Sequence, residues 1–246
     1  MHGITIVVPI YKLSSYRYRN FNFLIEVLSK LNIPIIVAEQ VEENKSSLTN
    51  KPQYKQYQHI TFTTDIPVMH KSWLVNQAIK YVETEYMWQI DCDFYMDFSL
   101  VTENDYNQYD FFQPYNLSID LNEINTNNLC ESGYITERML SNNPGTGRKV
   151  QMLGSLSYIC KVIKYTNIGG LDEKYIGWGL EDIDLFMRLS ESNLKLGKTF
   201  CRDGVHMWHP ISTTSRNAGL INLKYFKSKG YTTLHAKQLY SEMFEH

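Results

Sequence analysis

The chain has 246 residues, of which 43% are hydrophobic and 20% are charged, and it carries a formal net charge of −2. These values are ordinary for a globular protein with a buried core, built as one large domain or as two merged halves. The slightly acidic balance provides no global basic field. It therefore disfavours nucleic acid or an anionic membrane as a partner, although it does not exclude a local basic groove.

The sequence shows no pattern typical of a secretion signal or a membrane anchor. The apolar opening, residues 4–10, is too short and lacks a cleavage pattern, and no apolar stretch is long enough to cross a bilayer. We therefore expect a cytoplasmic protein or a soluble catalytic module of a longer chain. None of the cysteines forms a CxxC pair, so we expect reduced thiols and no structural zinc site at Cys92, Cys130, Cys160 and Cys201.

In the first hundred residues, strand-like and helix-like segments alternate. Short β-branched runs predict strands, and apolar residues at helical spacing predict helices. Residues 41–57 are predicted to form a loop or a short helix. The other predicted elements are a strand at 3–10 ended by Pro9, a helix at 17–30, strands at 33–39 and 59–63, a helix at 71–82 and a strand at 86–90.

The second part of the chain is irregular at first and then alternates again. Residues 104–148 contain several turn signals. Beyond them we predict a strand at 151–160, helices at 161–168 and 181–191, short strands at 198–201 and 204–207, and helices over 217–244. The whole order predicts an α/β fold, in which helices flank a mostly parallel, Rossmann-like sheet and ligands bind at the carboxyl ends of its strands.

The first of two acidic clusters follows the strand predicted at 86–90. Because side chains alternate along a strand, Asp91 and Asp93 are expected to point the same way. One carboxylate could bind a divalent cation and the other could bind the hydroxyls of a ribose. A solvated acidic turn is the alternative, since a D-x-D pattern alone has low specificity.

The second acidic cluster is Glu181, Asp182 and Asp184, which follow residues 177–179, Gly-Trp-Gly, at the start of a predicted helix. Negative charge is favourable at a helix N-terminus, so capping is an alternative explanation, but it accounts for one acid more easily than for three. The glycines and the indole suit a turn that a sugar approaches closely. A carboxylate there could take the proton of an acceptor hydroxyl as a general base.

Two histidines, His206 and His209, flank Trp208 near the end of the motif-bearing region. At a strand-to-loop corner both imidazoles could face one cation, and a borderline cation such as Mn²⁺ accepts imidazole as well as carboxylate. A lone histidine is more often structural, but a pair after two acidic clusters favours ligation, more so for His209 than for His206. Four basic side chains could either neutralise a pyrophosphate or be ordinary surface charges: Lys12, Arg17, Arg19 and Lys71.

Four segments, taken in order, resemble the GT-A fold glycosyltransferases. Residues 6–12, with the sequence IVVPIYK, resemble the opening strand of that fold. Residues 70–78 resemble the segment before the D-x-D strand in the β-1,4-galactosyltransferase family, and residues 169–184 resemble its acceptor-side signature. Residues 206–210 resemble the corresponding segment of chondroitin polymerases and polypeptide N-acetylgalactosaminyltransferases. Each motif alone is weak, whereas their order and spacing together are specific.

For the donor sugar nucleotide, the resemblance implies five contacts. Pro9 and Tyr11 would border a uridine pocket, and Asp91 would contact the ribose or a donor hydroxyl. Lys71 would approach the diphosphate. Trp178 would lie beside both the donor sugar and the acceptor sugar.

The resemblance also implies a cation site and a catalytic base. Asp93 and His209 would bind Mn²⁺, or Mg²⁺ in its place, and His206 falls where the galactosyltransferases use a methionine ligand. Glu181 would bind the acceptor. Asp182 would be the catalytic base.

The sequence departs from the family pattern within the acidic segment. Leu180 replaces the usual second glycine, and Ile183 replaces the middle of three aspartates. The disulfides and the membrane anchor of the family have no evident match. These departures concern the acceptor more than the fold.

We therefore expect a single GT-A domain over residues 1–246, in which a donor half at about 1–100 merges with an acceptor and metal half at about 101–246. The expected reaction moves a hexose or an N-acetylhexosamine from a UDP-sugar to a hydroxyl of a glycan, glycoconjugate or other acceptor. Inversion is expected, with Asp182 as the base and a cation on the departing UDP.

Three alternatives remain open. A retaining enzyme of the polypeptide-transferase type would differ in the anomeric configuration of the product. A viral enzyme that glycosylates nucleic acid is disfavoured by the acidic balance. A non-catalytic module that binds sugar nucleotides is disfavoured because Asp93, Asp182 and His209 are all present.

Overall fold

The computed structural model describes residues 3–43, 45–46, 48, 56–141, 149–150, 153–210 and 213–244. Its strands are β1 (Ile4–Tyr11), β2 (Ile35–Val41), β3 (Tyr57–Thr63), β4 (Tyr86–Ile90), β5 (Phe94–Tyr95), β6 (Phe111–Gln113), β7 (Ser118–Asp120), β8 (Lys149–Val150), β9 (Ser157–Lys161), β10 (Leu196–Lys198) and β11 (Gly204–His206). Its α-helices are α1 (Ser15–Ser29), α2 (Lys71–Ala78), α3 (Glu103–Tyr106), α4 (Glu123–Ser132), α5 (Glu137–Ser141), α6 (Val162–Asn167), α7 (Glu181–Ser190), α8 (Thr213–Ser228) and α9 (Thr233–Phe244). No helix in these ranges is both long and apolar enough to cross a bilayer.

A seven-stranded sheet forms the centre of the molecule, in the order β10-β6-β9-β4-β1-β2-β3. The pairs β1–β2, β1–β4, β2–β3 and β6–β10 are parallel, whereas β9 is antiparallel to both β4 and β6. The expectation of a mostly parallel sheet flanked by helices is confirmed. Strand β9 was predicted without a direction, and its neighbour β6 lies within residues 104–148, which were predicted to be irregular.

Strand β1 shows why the sheet is covered on both faces. All its residues are buried, and alternate side chains enter two separate cores. Ile6 and Val8 belong to the core that contains α1 residues such as Leu24, while Val7 packs in the core that contains Leu74 of α2. A strand that is apolar on both faces requires a helix on each, which is the arrangement of parallel α/β sheets.

A smaller four-stranded sheet, in the order β5-β11-β7-β8, lies beside the large one. Strand β11 pairs in parallel with β7, so that His206 lies opposite Asp120, and pairs antiparallel with β5, so that His206 also lies opposite Phe94. This sheet was not predicted, because its strands have only two or three residues and show no usable alternation. It brings the predicted histidine segment next to the turn that follows β4.

Several predicted element boundaries were wrong. Strand β1 continues past Pro9 to Tyr11, because the proline lacks only a donor and the chain can still pair in parallel with β2. The strand predicted at 151–160 is observed at Ser157–Lys161, and residues 151–152 lie outside the described part. The strand predicted at 198–201 is observed at Leu196–Lys198.

Three further regions compare as follows with their predictions. Within the irregular stretch predicted at 104–148, the chain forms α4 and α5, and residues 142–148 lie outside the described part. Much of the loop predicted at 41–57 also lies outside it. The helix predicted at 71–82 is α2 followed by a 3-10 turn at Ile79–Tyr81. The cysteines carry free thiols, as expected, and Cys92 lies in the core.

Candidate active site

A turn after β4 places Asp91 and Asp93 at the carboxyl edge of the large sheet. Because β4 ends at Ile90, the strand geometry predicted for residues 91–93 is wrong. The two carboxylates have different partners, since Asp91 contacts Lys71 whereas Asp93 contacts Arg17 and the histidines. A turn changes the direction of the backbone between two residues, so strand alternation does not apply to them.

Asp93, His206 and His209 form a compact cluster, in which the potential ligand atoms all lie within 4.8 Å of one another. Asp93 Oδ2 is 3.2 Å from His209 Nε2, and Asp93 Oδ1 is 3.6 Å from His206 Nε2. The Met207 N–H donates to the Asp93 carbonyl at 2.7 Å and fixes the two segments together. One carboxylate and two imidazoles are a donor set that a cation such as Mn²⁺ accepts.

Neighbouring acceptors orient both imidazoles of this cluster. His206 Nδ1 lies 3.1 Å from Asp120 Oδ1, and His209 Nδ1 lies 3.1 Å from the Pro210 carbonyl oxygen. Donation from Nδ1 in each ring leaves Nε2 directed towards Asp93. Contacts of this kind are typical of metal-binding histidines, because they fix both the ring and its tautomer.

The electrostatic surroundings keep Asp93 ionised. Asp93 is only 3% exposed, and burial alone would raise the pKa of its carboxyl group. The charge of Arg17 and the proximity of His209 and His206 outweigh burial, and they hold the pKa of Asp93 well below its usual range. Burial lowers the pKa of His206, but the hydrogen bond with Asp120 and the charge of Asp93 raise it overall. Asp93 is therefore in the anionic form that a cation ligand requires.

Asp91 forms a separate ion pair with Lys71, the first residue of α2. Lys71 Nζ is 2.7 Å from Asp91 Oδ1 and 2.8 Å from Oδ2, and Gln89 Nε2 also donates to Oδ1 at 2.7 Å. Burial lowers the pKa of Lys71, but the charges of Asp91, Glu181 and Asp182 raise it above its usual value. Lys71 thus lies within electrostatic reach of both acidic clusters.

Helix α7 begins at Glu181, and its first two acids lie near this ammonium group. Burial, followed by the charge of Asp182, raises the pKa of Glu181 to about 7, while Lys71 opposes the shift. The Oε2 atom of Glu181 is buried and has no hydrogen-bond partner among the described residues. The Asp182 Oδ1 atom accepts the N–H of Ile183 at 2.8 Å. The Oε2 atom of Glu181 thus has a hydrogen-bonding capacity that no described residue uses.

The third acid of this helix, Asp184, faces the interior instead. Its carboxylate accepts from Tyr175 Oη at 3.1 Å and from Arg188 Nε at 2.8 Å, and it also contacts Lys229 Nζ. Asp184 is fully buried. It therefore joins α7 to the C-terminal end of α8 and has no open side towards the site.

Trp178 is 53% exposed and lies in a loop that α8 holds in place. Asn222 Nδ2 donates to the carbonyl oxygens of Ile176, Trp178 and Gly179 at 3.1–3.2 Å. Gly219 lies against the indole, because a Cβ added there would be 3.3 Å from Trp178 Cε3. An exposed indole on a fixed loop is suited to stack on a sugar ring.

The two residues predicted at the end of β1 differ in their access to solvent. Pro9 is buried inside the strand, opposite Ala38 of β2. Tyr11 lines a cleft at the carboxyl ends of β1 and β2, and its hydroxyl donates to Glu42 Oε1 at 2.6 Å. Glu39 also lines this cleft, whereas Pro9 does not. Of the two, only Tyr11 is therefore in a position to touch a ligand in the cleft.

Sequence analysis did not identify Asp120 as a site residue, and it underestimated the role of Arg17. Arg17, in the first turn of α1, donates from Nη2 to Asp93 Oδ2 at 3.1 Å, although the sequence suggested only a general phosphate contact. Asp120 ends β7 and reaches His206 through the strand register of the small sheet. No local pattern around Asp120 could have revealed this, because the contact depends on a pairing of two three-residue strands.

Solved structures identify the fold. S. aureus TarS aligns with 97% of this chain and 42% of its own length, at 13% identity and a TM-score of 0.55. A structure of S. aureus TarS 1–349 aligns with 83% of this chain and 60% of its own length, at 13% identity and a TM-score of 0.54. The chain has the GT-A glycosyltransferase fold. This GT-A chain thus spans 60% and 42% of these two TarS chains.

A family model described as the N-terminal domain of galactosyltransferase matches residues 149–210 of the GT-A chain. This segment contains both histidines and the acids at the start of α7, but neither Asp91 nor Asp93. A mutant of Drosophila β1,4-galactosyltransferase 7 in complex with manganese, UDP-Gal and xylobiose aligns with 87% of this chain and 79% of its own, at 10% identity. Its TM-score is 0.46. A sequence search of curated proteins finds no match.

Proposed function

We propose that this GT-A chain is a cation-dependent glycosyltransferase that moves a hexose or an N-acetylhexosamine from a UDP-sugar to an acceptor hydroxyl. The observation that carries the proposal is the cluster of Asp93, His206 and His209 at the carboxyl edge of the sheet. The GT-A fold and the galactosyltransferase match over residues 149–210 support the same class of reaction. Residues 1–100 would supply most of the donor half, and residues 101–246 most of the acceptor half.

The cluster fits a divalent cation by the chemistry of its atoms. Asp93 offers an anionic oxygen, and the two imidazoles direct their Nε2 atoms towards it. A bound Mn²⁺ or Mg²⁺ would supply positive charge to the departing diphosphate. Lys71 and Arg17 add positive charge at the same edge of the sheet, where they can bind phosphate oxygens.

Asp182 is the proposed base. Its carboxylate takes the proton from the acceptor hydroxyl while the hydroxyl oxygen forms a bond to the anomeric carbon of the donor sugar. The bond from that carbon to the diphosphate oxygen breaks, and UDP departs with the electron pair. A single displacement of this kind inverts the anomeric centre.

Other side chains are proposed to position the reactants. The unpartnered Oε2 of Glu181 would hydrogen-bond to the acceptor, and the exposed indole of Trp178 would stack on a sugar. Asp91 would accept from the ribose or from a donor hydroxyl. The cleft lined by Tyr11 would hold the uracil base, with Pro9 behind it in the strand.

The decisive experiment measures UDP release from a panel of UDP-sugars, with Mn²⁺ and then with EDTA, in the absence and presence of candidate glycan acceptors. We expect one donor to be turned over with Mn²⁺ and not with EDTA. Asp182→Asn should lower the rate by about 10²–10⁴-fold while the protein still binds UDP. Asp65→Asn, which removes an exposed carboxylate after the edge strand β3, is the matched control and should leave the rate unchanged.

The anomeric configuration of the product and the binding of UDP, measured on the same proteins, separate the alternatives. Retention of the anomeric configuration in the product would contradict the single displacement and favour the polypeptide-transferase type of mechanism. UDP binding without turnover, unaffected by Asp182→Asn, would identify a binding module. Lack of any metal-dependent UDP binding would contradict the glycosyltransferase proposal as a whole.

A further inference from the structure

Arg17 contacts two of the ligand atoms of the proposed cation site, which lie 3.2 Å from each other. Its Nη2 atom is 3.1 Å from Asp93 Oδ2 and 3.3 Å from His209 Nε2. Ser14 caps α1 by accepting the Arg17 N–H at 3.4 Å, so this arginine lies in the first turn of the helix. A single nitrogen atom therefore contacts two of the three groups that a cation would bind.

His209 Nε2 has two neighbours of opposite hydrogen-bonding character. Arg17 Nη2, at 3.3 Å, can only donate, whereas the ionised Asp93 Oδ2, at 3.2 Å, can only accept. In the tautomer that binds a cation, Nδ1 carries the hydrogen and donates to the Pro210 carbonyl oxygen at 3.1 Å, and Nε2 accepts from Arg17. In that tautomer the lone pair of Nε2 and the charge of Asp93 Oδ2 converge on Arg17, as they would converge on a bound cation.

Arg17 is held less completely than another arginine in the same chain. Arg188 donates from Nε to Asp184, from Nη1 to the Ile168 carbonyl and from Nη2 to the Gly170 carbonyl. Within the described part of the chain, Arg17 donates only from Nη2, and its Nε atom is buried without a partner. A third of its side chain is exposed. The Arg17 guanidinium can therefore leave its place at a smaller cost in hydrogen bonds.

We propose that Arg17 is a built-in counter-ion of the cation site, which a divalent cation must displace before it can bind Asp93 and His209. A positive side chain and a cation cannot share the same two ligand atoms, because like charges at that distance repel strongly. The inference rests on the proposed function in one respect. The diphosphate of the donor would receive the displaced guanidinium, since its planar fork matches phosphate oxygens.

This arrangement predicts that the cation and the nucleotide bind cooperatively. Without nucleotide, Arg17 competes with the cation and keeps its affinity low. With UDP present, the displaced guanidinium gains a new anionic partner, so the cost of displacement falls. By linkage, the nucleotide then raises the affinity for the cation.

The experiment measures Mn²⁺ binding by electron paramagnetic resonance, without nucleotide and then with saturating UDP, on the full chain and its variants. Arg17→Met should bind Mn²⁺ about tenfold more tightly than the wild type without nucleotide, and UDP should enhance its affinity less. Lys30→Met removes one positive charge from the residue that follows the same helix, where Lys30 pairs with exposed Glu26. This control should behave as the wild type.

Two outcomes would overturn the inference. One is an Arg17→Met variant that binds Mn²⁺ no more tightly than the wild type, and the other is equal enhancement by UDP in both proteins. If Mn²⁺ affinity is unchanged while turnover still requires Mn²⁺, the inference fails and the proposed function stands. If neither protein binds Mn²⁺ with or without UDP, both fail.

A second measurement uses the wild type, so that the test does not depend on folding of Arg17→Met. Side-chain ¹⁵Nε resonances of the arginines are followed while diamagnetic Mg²⁺ and UDP are added, and Arg17→Lys identifies the Arg17 signal. We expect that signal to shift when the site is saturated with Mg²⁺. An unchanged signal would show that the guanidinium stays in place, and that result also contradicts the inference.

Discussion

Asp93 and Asp184 are both buried carboxylates that contact an arginine, and both belong to acidic clusters that the sequence singled out. The two carboxylates differ in the further contacts that their cationic partners make. Asp184 contacts Arg188 and Lys229, and each of these cations has further contacts, with backbone carbonyls or with Asp172. The hydrogen bonds of this network hold α7 against α8 and against the loop before α7.

The partners of Asp93 have unused capacity. Two imidazole nitrogens face its carboxylate. Among the described residues, the Arg17 guanidinium donates only from Nη2, so its other N–H groups have no partner there. An ion pair in the interior is therefore not evidence of function by itself, because structural networks also pair buried charges. At the candidate site, several side chains with unfilled hydrogen-bonding capacity converge on one point. This feature distinguishes it from the structural network.

The largest expected effect is on activity, at Asp93. Asp93→Asn removes the only carboxylate among the three clustered ligands, so Mn²⁺-dependent turnover should fall by about a thousandfold or more. Stability should fall less than it does for Asp184→Asn, because Arg17 is a third exposed and can turn towards water. Steady-state kinetics over a range of Mn²⁺ concentrations checks the first statement, and urea unfolding checks the second. Wild-type turnover in Asp93→Asn would contradict the cation site.

For Asp184 we expect the opposite pattern, in which stability falls and activity is retained. Asp184→Asn leaves Arg188 and Lys229 without their shared buried anion, and breaking a buried pair of this kind costs about 3 kcal/mol in the free energy of unfolding. Activity per folded molecule should remain close to that of the wild type, because no atom of Asp184 faces the site. Urea unfolding and kinetics corrected for the folded fraction provide the two readings. Full stability together with lost turnover would reverse the assignment of the two aspartates.

The sequence predicted the parts of this comparison that depend on local pattern. The apolar run of β1, the helical spacing of α1 and the acidic start of α7 indicated the main sheet and the edge at which the site lies. They did not distinguish Asp184 from its two neighbours, since all three are acids in the first turn of the same helix. What separates them is the direction of each side chain relative to α8, and that is a property of packing.

The contacts of Asp93 were beyond local reasoning for a related reason. Arg17 is 76 residues away along the chain, and Asp120 reaches His206 across 86 residues through strand pairing in the small sheet. Sequence order indicated that the acids and histidines belong together, because they resemble motifs of one family. It could not show that a helix on one side of β1 delivers an arginine to the same point.

Glu181 offers an intermediate effect that depends on pH. Its folded-state pKa of about 7 lies above the usual value of 4.5, so the folded protein binds this proton more tightly than the unfolded chain does. The contribution of Glu181 to stability is therefore full below about pH 4.5 and is lost as the pH rises to about 7. Glu181→Gln keeps a neutral side chain, and it should be more stable than the wild type by about 1–3 kcal/mol at pH 8 but not at pH 4.5.

Urea unfolding of both proteins at pH 4.5 and pH 8 makes this measurement. Glu83→Gln is the matched control, because Glu83 is exposed and lies before β4, at the opposite edge of the sheet from Asp91. The control should show no difference between the two pH values. An equal effect of Glu181→Gln at both would mean that folding does not shift the pKa of Glu181, and its proposed role as a hydrogen-bonding group for the acceptor would need another basis.

The smallest expected effect concerns Leu180, which stands where the resembled family has a glycine and which leads into the helix that carries both Glu181 and Asp184. Its φ of 78° lies in the left-handed region, where a leucine is strained and a glycine is not. Leu180→Ala loses the packing of the side chain and keeps the strain. Leu180→Gly loses the same packing but relieves strain of about 1 kcal/mol. The glycine variant should therefore be the more stable of the two, the reverse of the order at ordinary positions, and urea unfolding of the pair decides it. If alanine proves the more stable replacement, the turn before α7 does not require a positive φ in solution, and the orientation of Glu181 relative to Asp184 would have to be fixed by α8 alone.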